Sequence, residues 1–94
     1  MSLTVIAETN PIKVTGTTAS RQRILAGPAL IRFIKWYNPT TVGHLLALQD
    51  ENGDNIIECY CDTANVSQTE PVFLDLDGLL CDDMDSGTLY IYLR

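Results

Sequence analysis

The side chains of this 94-residue chain that could take part in chemistry are mainly carboxylates. The densest group of them lies near its C-terminal end. Five aspartates fall within one short segment: Asp75, Asp77, Asp82, Asp83 and Asp85. Carboxylates this close repel one another unless water, a cation or a basic partner compensates them. For the last three, the sequence leaves a solvated loop, a contact with a basic neighbour and a weak calcium site open.

Asp75 and Asp77 also belong to a string that looks like an enzyme motif. The segment 72–80, VFLDLDGLL, resembles the first motif of the haloacid-dehalogenase phosphatases, an apolar strand that ends in Asp-x-Asp-Gly. The resemblance implies an aspartate that attacks phosphorus beside Mg²⁺. That family needs a parallel α/β scaffold and a later lysine, whereas no helical periodicity is visible here and 81–94 contains no lysine. We therefore predict that the chain is not an enzyme.

No other residues have the spacing of a metal site. Asp50-x-Asn52-x-Asp54 begins like a calcium loop, but it lacks the glycine and the glutamate that such a loop carries further along. His44 is the only histidine, and no Cys/His pairs have zinc spacing. We predict no resident metal and no cofactor.

Composition excludes several partners. Twelve acidic residues against six basic ones give a net charge of −6, which disfavours direct binding to nucleic acid because that binding relies on Lys and Arg. No apolar run approaches the ~20 residues that a membrane helix needs. Residues 1–5 lack the basic and apolar regions of a secretory signal. We expect a soluble protein from a reducing compartment.

The order of apolar and turn residues predicts the elements. Strands are expected at 29–37, 43–49, 55–61, 72–76 and 88–93, with loops at 38–41, 50–54 and 63–70. Turn signals that recur this often predict an all-β fold, an antiparallel β-sandwich or a jelly-roll-like small barrel of about seven to eight strands. Residues 1–94 are expected to form a single β domain. Residues 1–20 form either two short strands or an extended arm that orders against a neighbour.

Alternation along the strands predicts the inward side chains. Val72, Leu74 and Leu76 are expected to face the core. The cysteines, Cys59, Cys61 and Cys81, are odd in number, and the first two are poorly placed to bridge each other, so we predict three small buried hydrophobes.

The last predicted strand presents two tyrosines to the outside. With Leu89 and Ile91 inward, Tyr90 and Tyr92 face out, where they form an oligomer contact or a platform for sugar stacking. Tyr90 and Tyr92, with Asp82 and Asp83, are the predicted interaction residues.

Several segments together form a family pattern: RILAGPALIR at 23–32, NPTT at 38–41, a Leu-rich strand ending at Asp50 before an Asn-Gly turn, GLL at 78–80 and SGTLYIY at 86–92. Over residues 16–94 this pattern resembles small β-sandwich structural proteins of tailed bacteriophages, of the capsid-decoration or virion-associated type. The resemblance implies a virion protein that assembles in the bacterial host cytoplasm. It also implies a homo-oligomer, with a trimer as the expectation, that docks on a larger virion protein such as the major capsid protein.

A second hypothesis is a small calcium- or glycan-binding β-sandwich. In that case the aspartate-rich segment that contains Asp82, Asp83 and Asp85 would lie beside Tyr90 and Tyr92.

Overall fold

The computed structural model describes residues 3–6 and 10–93, and their regular elements are all β-strands. The strands are β1 (Leu3–Ile6), β2 (Ile12–Gly16), β3 (Gln22–Leu25), β4 (Ala29–Tyr37), β5 (Leu45–Asp50), β6 (Asn55–Tyr60), β7 (Gln68–Leu76), β8 (Leu79–Met84) and β9 (Thr88–Leu93). They form a five-stranded sheet in the order β1-β2-β9-β4-β7 and a four-stranded sheet in the order β3-β8-β5-β6. The predicted all-β antiparallel fold is confirmed, with more strands than expected. None of the described segments is a helix that could cross a membrane.

The hydrophobic core lies between the two sheets. The five-stranded sheet contributes Ile12, Val14, Ile31, Ile34, Trp36, Leu89 and Ile91. The four-stranded sheet contributes Ile24, Leu46, Leu48, Cys59, Leu79, Cys81 and Met84. Because successive strand residues point to opposite faces, each of these strands also carries an outward set of side chains.

The N-terminal residues take part in the five-stranded sheet. β2 pairs with β9, and Ile12 and Val14 are completely buried or nearly so, so their side chains belong to the core. β1 pairs with β2 at the edge of the sheet. For residues 1–20 the sequence left two short strands or an extended arm as alternatives. The described residues 3–6 and 12–16 form two strands, whereas residues 1, 2 and 7–9 lie outside the described chain.

β7 differs from its prediction in length and in alternation. It begins at Gln68, so the end of the predicted 63–70 loop is strand. Against β4, Ile31 pairs with Leu74 but Phe33 pairs with Pro71, which leaves one extra residue on β7. Leu74 pairs with the buried Ile31 on this edge strand, yet its side chain is 37% exposed and does not belong to the core. The prediction that Leu74 is a core residue is therefore wrong, whereas Val72 and Leu76 do pack against the core.

β8 was not expected as a strand. Asp82 and Asp83 lie within it, and it pairs with both β3 and β5, so the solvated-loop interpretation is wrong for these two residues. The burial of Cys81 and Met84 in the core outweighs the poor strand preference of aspartate. Asp85 follows the end of the strand.

Trp36 anchors the chain where it passes from one sheet to the other. Its side chain is completely buried, and its indole Nε1 donates a hydrogen bond to the Ser86 carbonyl at 2.8 Å. Ser86 and Gly87 join β8, in the four-stranded sheet, to β9, in the five-stranded sheet. Gly87 has a φ of 81°, and a Cβ there would lie 2.8 Å from the Tyr37 carbonyl oxygen and 2.9 Å from Trp36 Nε1.

We predict that Gly87→Ala lowers the free energy of unfolding by about 2–3 kcal/mol, from backbone strain and from crowding at Trp36. Gly43→Ala is the matched control, since Gly43 has a φ of 92° but a Cβ there would meet no heavy atom within 4 Å. The control should lower the free energy of unfolding by only about 1 kcal/mol, which is the cost of placing alanine in the left-handed backbone conformation. Urea unfolding monitored by Trp36 fluorescence measures both; equal losses would contradict the role given to this turn.

Candidate functional site

The outer side of the five-stranded sheet carries an aromatic surface. Tyr92 lies opposite Phe33, and Thr88 lies opposite Tyr37, across the β4–β9 pairing. Between them, one row crosses all five strands: Ile6, Lys13, Tyr90, Lys35 and Thr69. We call the outward side chains of Phe33, Tyr37, Tyr90 and Tyr92, with Lys13 and Lys35, the aromatic face.

The four rings of the aromatic face form two packed pairs. The Phe33 and Tyr92 rings stack with their centroids 4.3 Å apart and their planes at 18°. The Tyr37 and Tyr90 rings meet edge to face, with centroids 6.2 Å apart. Each pair joins two adjacent strands, so the rings are held by neighbours on the sheet itself. Tyr37 nevertheless remains 48% exposed.

Two lysines frame the central tyrosine of this face. Tyr90 pairs with Lys13 of β2 on one side and with Lys35 of β4 on the other. The Lys35 ammonium also lies 5.6 Å from the centre of the Tyr37 ring, within the range of a cation–π contact. The described rows that contain these residues hold no carboxylate. The aromatic face is therefore apolar and basic, although the chain as a whole is acidic.

The predicted interaction residues Asp82 and Asp83 lie on the other sheet. In β8, Asp83 pairs with Ala47 of β5, and Ala47 pairs with Glu58 of β6. Ala47 is buried but does not belong to the core cluster, so this row lies on the outer side of the four-stranded sheet. We call this row, with the neighbouring carboxylates of Asp82 and Asp85, the acidic face. The structure thus separates the predicted interaction residues into two sets.

Asp83 and Asp85 form a pair of interacting carboxyls. Burial, a hydrogen bond with Asp85 and the nearby negative charges raise the pKa of Asp83 to about 6. Burial alone would raise the pKa of Asp85 as well, but its hydrogen bonds with Asp83 and with the Leu45 N–H lower it. Within the described chain, Asp83 Oδ1 is buried without a hydrogen-bond partner. The pair shares a proton near pH 6, as close carboxylates do.

Ser86 and His44 lie together, which the sequence did not predict. His44 Nδ1 and Ser86 Oγ are 2.7 Å apart, and the Thr40 N–H donates to the same Oγ at 3.0 Å. Ser86 is only 8% exposed, and the Asp85 carboxylate accepts the Leu45 N–H at 2.9 Å. A nucleophile must reach its substrate, so these contacts point to a role in holding the β8–β9 turn.

The enzyme-like string around Asp75 and Asp77 lies apart from these groups. Asp75 is exposed on β7, opposite Leu30 of an antiparallel neighbour, and Asp77 is exposed in the turn before β8. An open groove of about 560 Å³ passes Asp75 and is otherwise lined by Ile12, Leu25, Pro28, Ala29, Leu30 and Leu93. Among the described residues that line the groove, Asp75 is the only charged one, so they form no acid–base pair.

The three cysteines are buried free thiols. Burial raises the pKa of Cys59 to about 11 and that of Cys81 to about 12. Both thiols therefore stay protonated at neutral pH, whereas nucleophilic attack and metal binding need the thiolate. In the part of the chain that the structure describes, no three His, Cys, Asp or Glu side chains are placed to share a metal ion.

Alternation identified Tyr90 and Tyr92 as outward residues, but it did not identify the rest of the aromatic face. Phe33 and Tyr37 lie on β4, which is distant in sequence, and the bulge near residue 33 sets which β4 side chains meet β9. The sequence signal that could have identified the rest of this face is the concentration of aromatic and basic residues at the outward positions of β4.

Comparison of the chain with protein-family models gave no match, and no curated protein is significantly similar to it. The resemblance to phage structural proteins therefore stays a prediction.

We predict that Asp83→Asn stabilises the protein above pH 6. A carboxyl whose pKa is raised on folding binds its proton more tightly in the folded state. Its contribution to the free energy of unfolding is therefore fully present below about pH 4 and is lost as the pH rises through about 6. Asparagine keeps the neutral form at every pH. The gain at pH 8 should be about 1 kcal/mol, because solvent screens a half-buried carboxyl.

Urea unfolding at several pH values from 4 to 8 tests this prediction. The difference between the variant and the parent should shrink as the pH falls toward 4. Asp62→Asn, at an exposed position, removes the same charge and should change stability little. A gain for Asp83→Asn that does not depend on pH would contradict the shared proton.

Proposed function

We propose that this chain is a non-catalytic assembly module of a bacteriophage virion, which self-associates and docks on a larger virion protein such as the major capsid protein. The observation that carries the assembly role is the aromatic face. The virion setting rests on the sequence resemblance.

The aromatic face has the composition of a protein-binding surface. Tyrosine, phenylalanine and other aromatic residues are enriched where proteins meet, because they bury a large area with few rotatable bonds. Here the rings are already packed in pairs, so binding would cost little further side-chain entropy. The flanking Lys13 and Lys35 can orient an acidic partner.

The same geometry favours a protein over a sugar as the occupant. A sugar stacks on an open ring face, whereas one face of the Tyr92 ring is covered by Phe33. Calcium beside Tyr90 and Tyr92 would need the aspartates nearby, yet these lie on the other sheet. Both observations weigh against the calcium- or glycan-binding hypothesis.

The non-catalytic part of the proposal rests on the groups that could do chemistry. Ser86 is buried, the thiols of Cys59 and Cys81 stay protonated, and Asp75 and Asp77 lie on an all-β scaffold without the motif's partners. In the described chain the best-formed polar cluster, around Ser86, holds a turn.

We predict that Tyr90→Ser weakens self-association of the full chain at least tenfold, since truncating a central interface tyrosine costs about 1.4 kcal/mol or more. Val66→Ser is the control, because Val66 is 50% exposed in the loop that joins β6 and β7 and belongs to neither face as defined above. Sedimentation velocity over a range of protein concentrations measures the effect. The control should associate like the parent chain.

Docking on the larger partner is tested by co-expression of this chain with the proteins encoded by the genes on either side of its own. The proposal is supported if the chain copurifies with one of them and if Tyr90→Ser reduces this copurification whereas Val66→Ser preserves it. A chain that stays monomeric and copurifies with none of them would overturn it. A rise in melting temperature with Ca²⁺ or with a glycan, in a chain that does not associate, would favour the second hypothesis.

A further inference from the structure

We propose that the partner of the aromatic face in self-association is the acidic face of a second copy, so that the protein stacks sheet on sheet, head to tail. The inference rests on the proposed function, since it takes the aromatic face as the assembly surface, and it names what that surface binds.

The two outer faces differ in charge. The aromatic face holds Lys13 and Lys35 and, in its described rows, no carboxylate; on the same side of this sheet, Asp75 lies further along, opposite Leu30. The acidic face holds Glu58 and Asp83, with Asp82 and Asp85 beside them. On the adjoining strand β3, Arg23 is already paired with Glu51 through both guanidinium nitrogens. Each face thus carries the charge that the other one lacks.

The spacing of the charges also matches. In the row Lys13–Tyr90–Lys35, two cations lie on strands that flank a central strand. In the row Asp83–Ala47–Glu58, two anions lie on strands that flank a central strand. Neighbouring strands are separated by about 4.8 Å, so in each row the backbone positions of the two charged residues are about 10 Å apart. A stacked pair of sheets can therefore form both ion pairs at once.

The middle of each row carries an uncharged residue. Tyr90 lies between the lysines, and Ala47, which is only 3% exposed, lies between the carboxylates. A tyrosine ring opposite this position would pack on the side chains that surround Ala47. Glu58 is exposed and free to turn toward a lysine, although it also accepts a hydrogen bond from Asn55 Nδ2 at 2.7 Å.

This pairing joins two different surfaces on opposite sides of the molecule. Such a contact is heterologous, and it leaves one free aromatic face and one free acidic face at the ends of every stack. Each added copy repeats the same contact, so the stack grows with protein concentration instead of closing at a fixed number of chains.

Charge reversal tests the pairing. Glu58→Lys, Lys13→Glu and Lys35→Glu should each raise the dissociation constant for self-association by about tenfold or more, because each places like charges together. Asp77→Lys reverses a charge in the exposed turn between β7 and β8, outside both faces, and is the matched control. Association of the parent chain should weaken with added salt.

Mixing the variants makes the test specific. Each equimolar mixture of Glu58→Lys with Lys13→Glu or Lys35→Glu keeps one unaltered contact, between the aromatic face of the first variant and the acidic face of the second, so dimers should form in both mixtures. Glu58 of one copy faces one of the two lysines of the next, so only the mixture in which the two reversed charges meet should form stacks longer than dimers. The successful mixture reports the orientation of the stack. Association restored by neither mixture would overturn the inference, as would a parent chain of fixed mass at all concentrations.

The outcomes also separate the inference from the proposed function. If Tyr90→Ser blocks association while Glu58→Lys leaves it unchanged, the aromatic face remains an assembly surface but its partner is not the acidic face. If Tyr90→Ser has no effect on association or on docking, the proposed function itself fails.

Discussion

The hydrogen bond from the Trp36 indole to the Ser86 carbonyl is the contact on which the two-sheet arrangement depends. It joins β4 of the five-stranded sheet to the turn where the chain leaves the four-stranded sheet. A fully buried indole N–H without an acceptor would cost a large part of the stability of a domain this small. The same turn holds His44 and Thr40 through the Ser86 hydroxyl, so the polar groups there serve the fold.

That turn also decides where the charged residues lie. β8 and β9 are neighbours in sequence but belong to different sheets. The aspartates of β8 are therefore carried to one outer surface and the tyrosines of β9 to the other. Two groups of residues that look like parts of one site in the sequence become two separate surfaces with opposite character.

A domain built this way interacts through its faces more readily than through a pocket. Its core fills the space between the sheets, and its described polar clusters are either buried or carried on flat sheet surfaces. An apolar, basic face and an acidic face on one small molecule favour contact with other proteins, including other copies. Assembly accounts for both faces without requiring a reactive group.

The sequence by itself determined the fold class and most of the inward side chains, because alternation and turn residues are local signals that follow from strand geometry. It predicted the strands around Trp36 and Tyr90 and the burial of the three cysteines. It could not show that β8 is a strand, since the aspartates hide its apolar alternation, nor that Leu74 is exposed at the edge of its sheet. Only the tertiary structure decided which strands are neighbours. It therefore also decided that Lys13, Tyr90 and Lys35 share one row. Such contacts arise from pairing between segments distant in the chain, and no local pattern of residues encodes them.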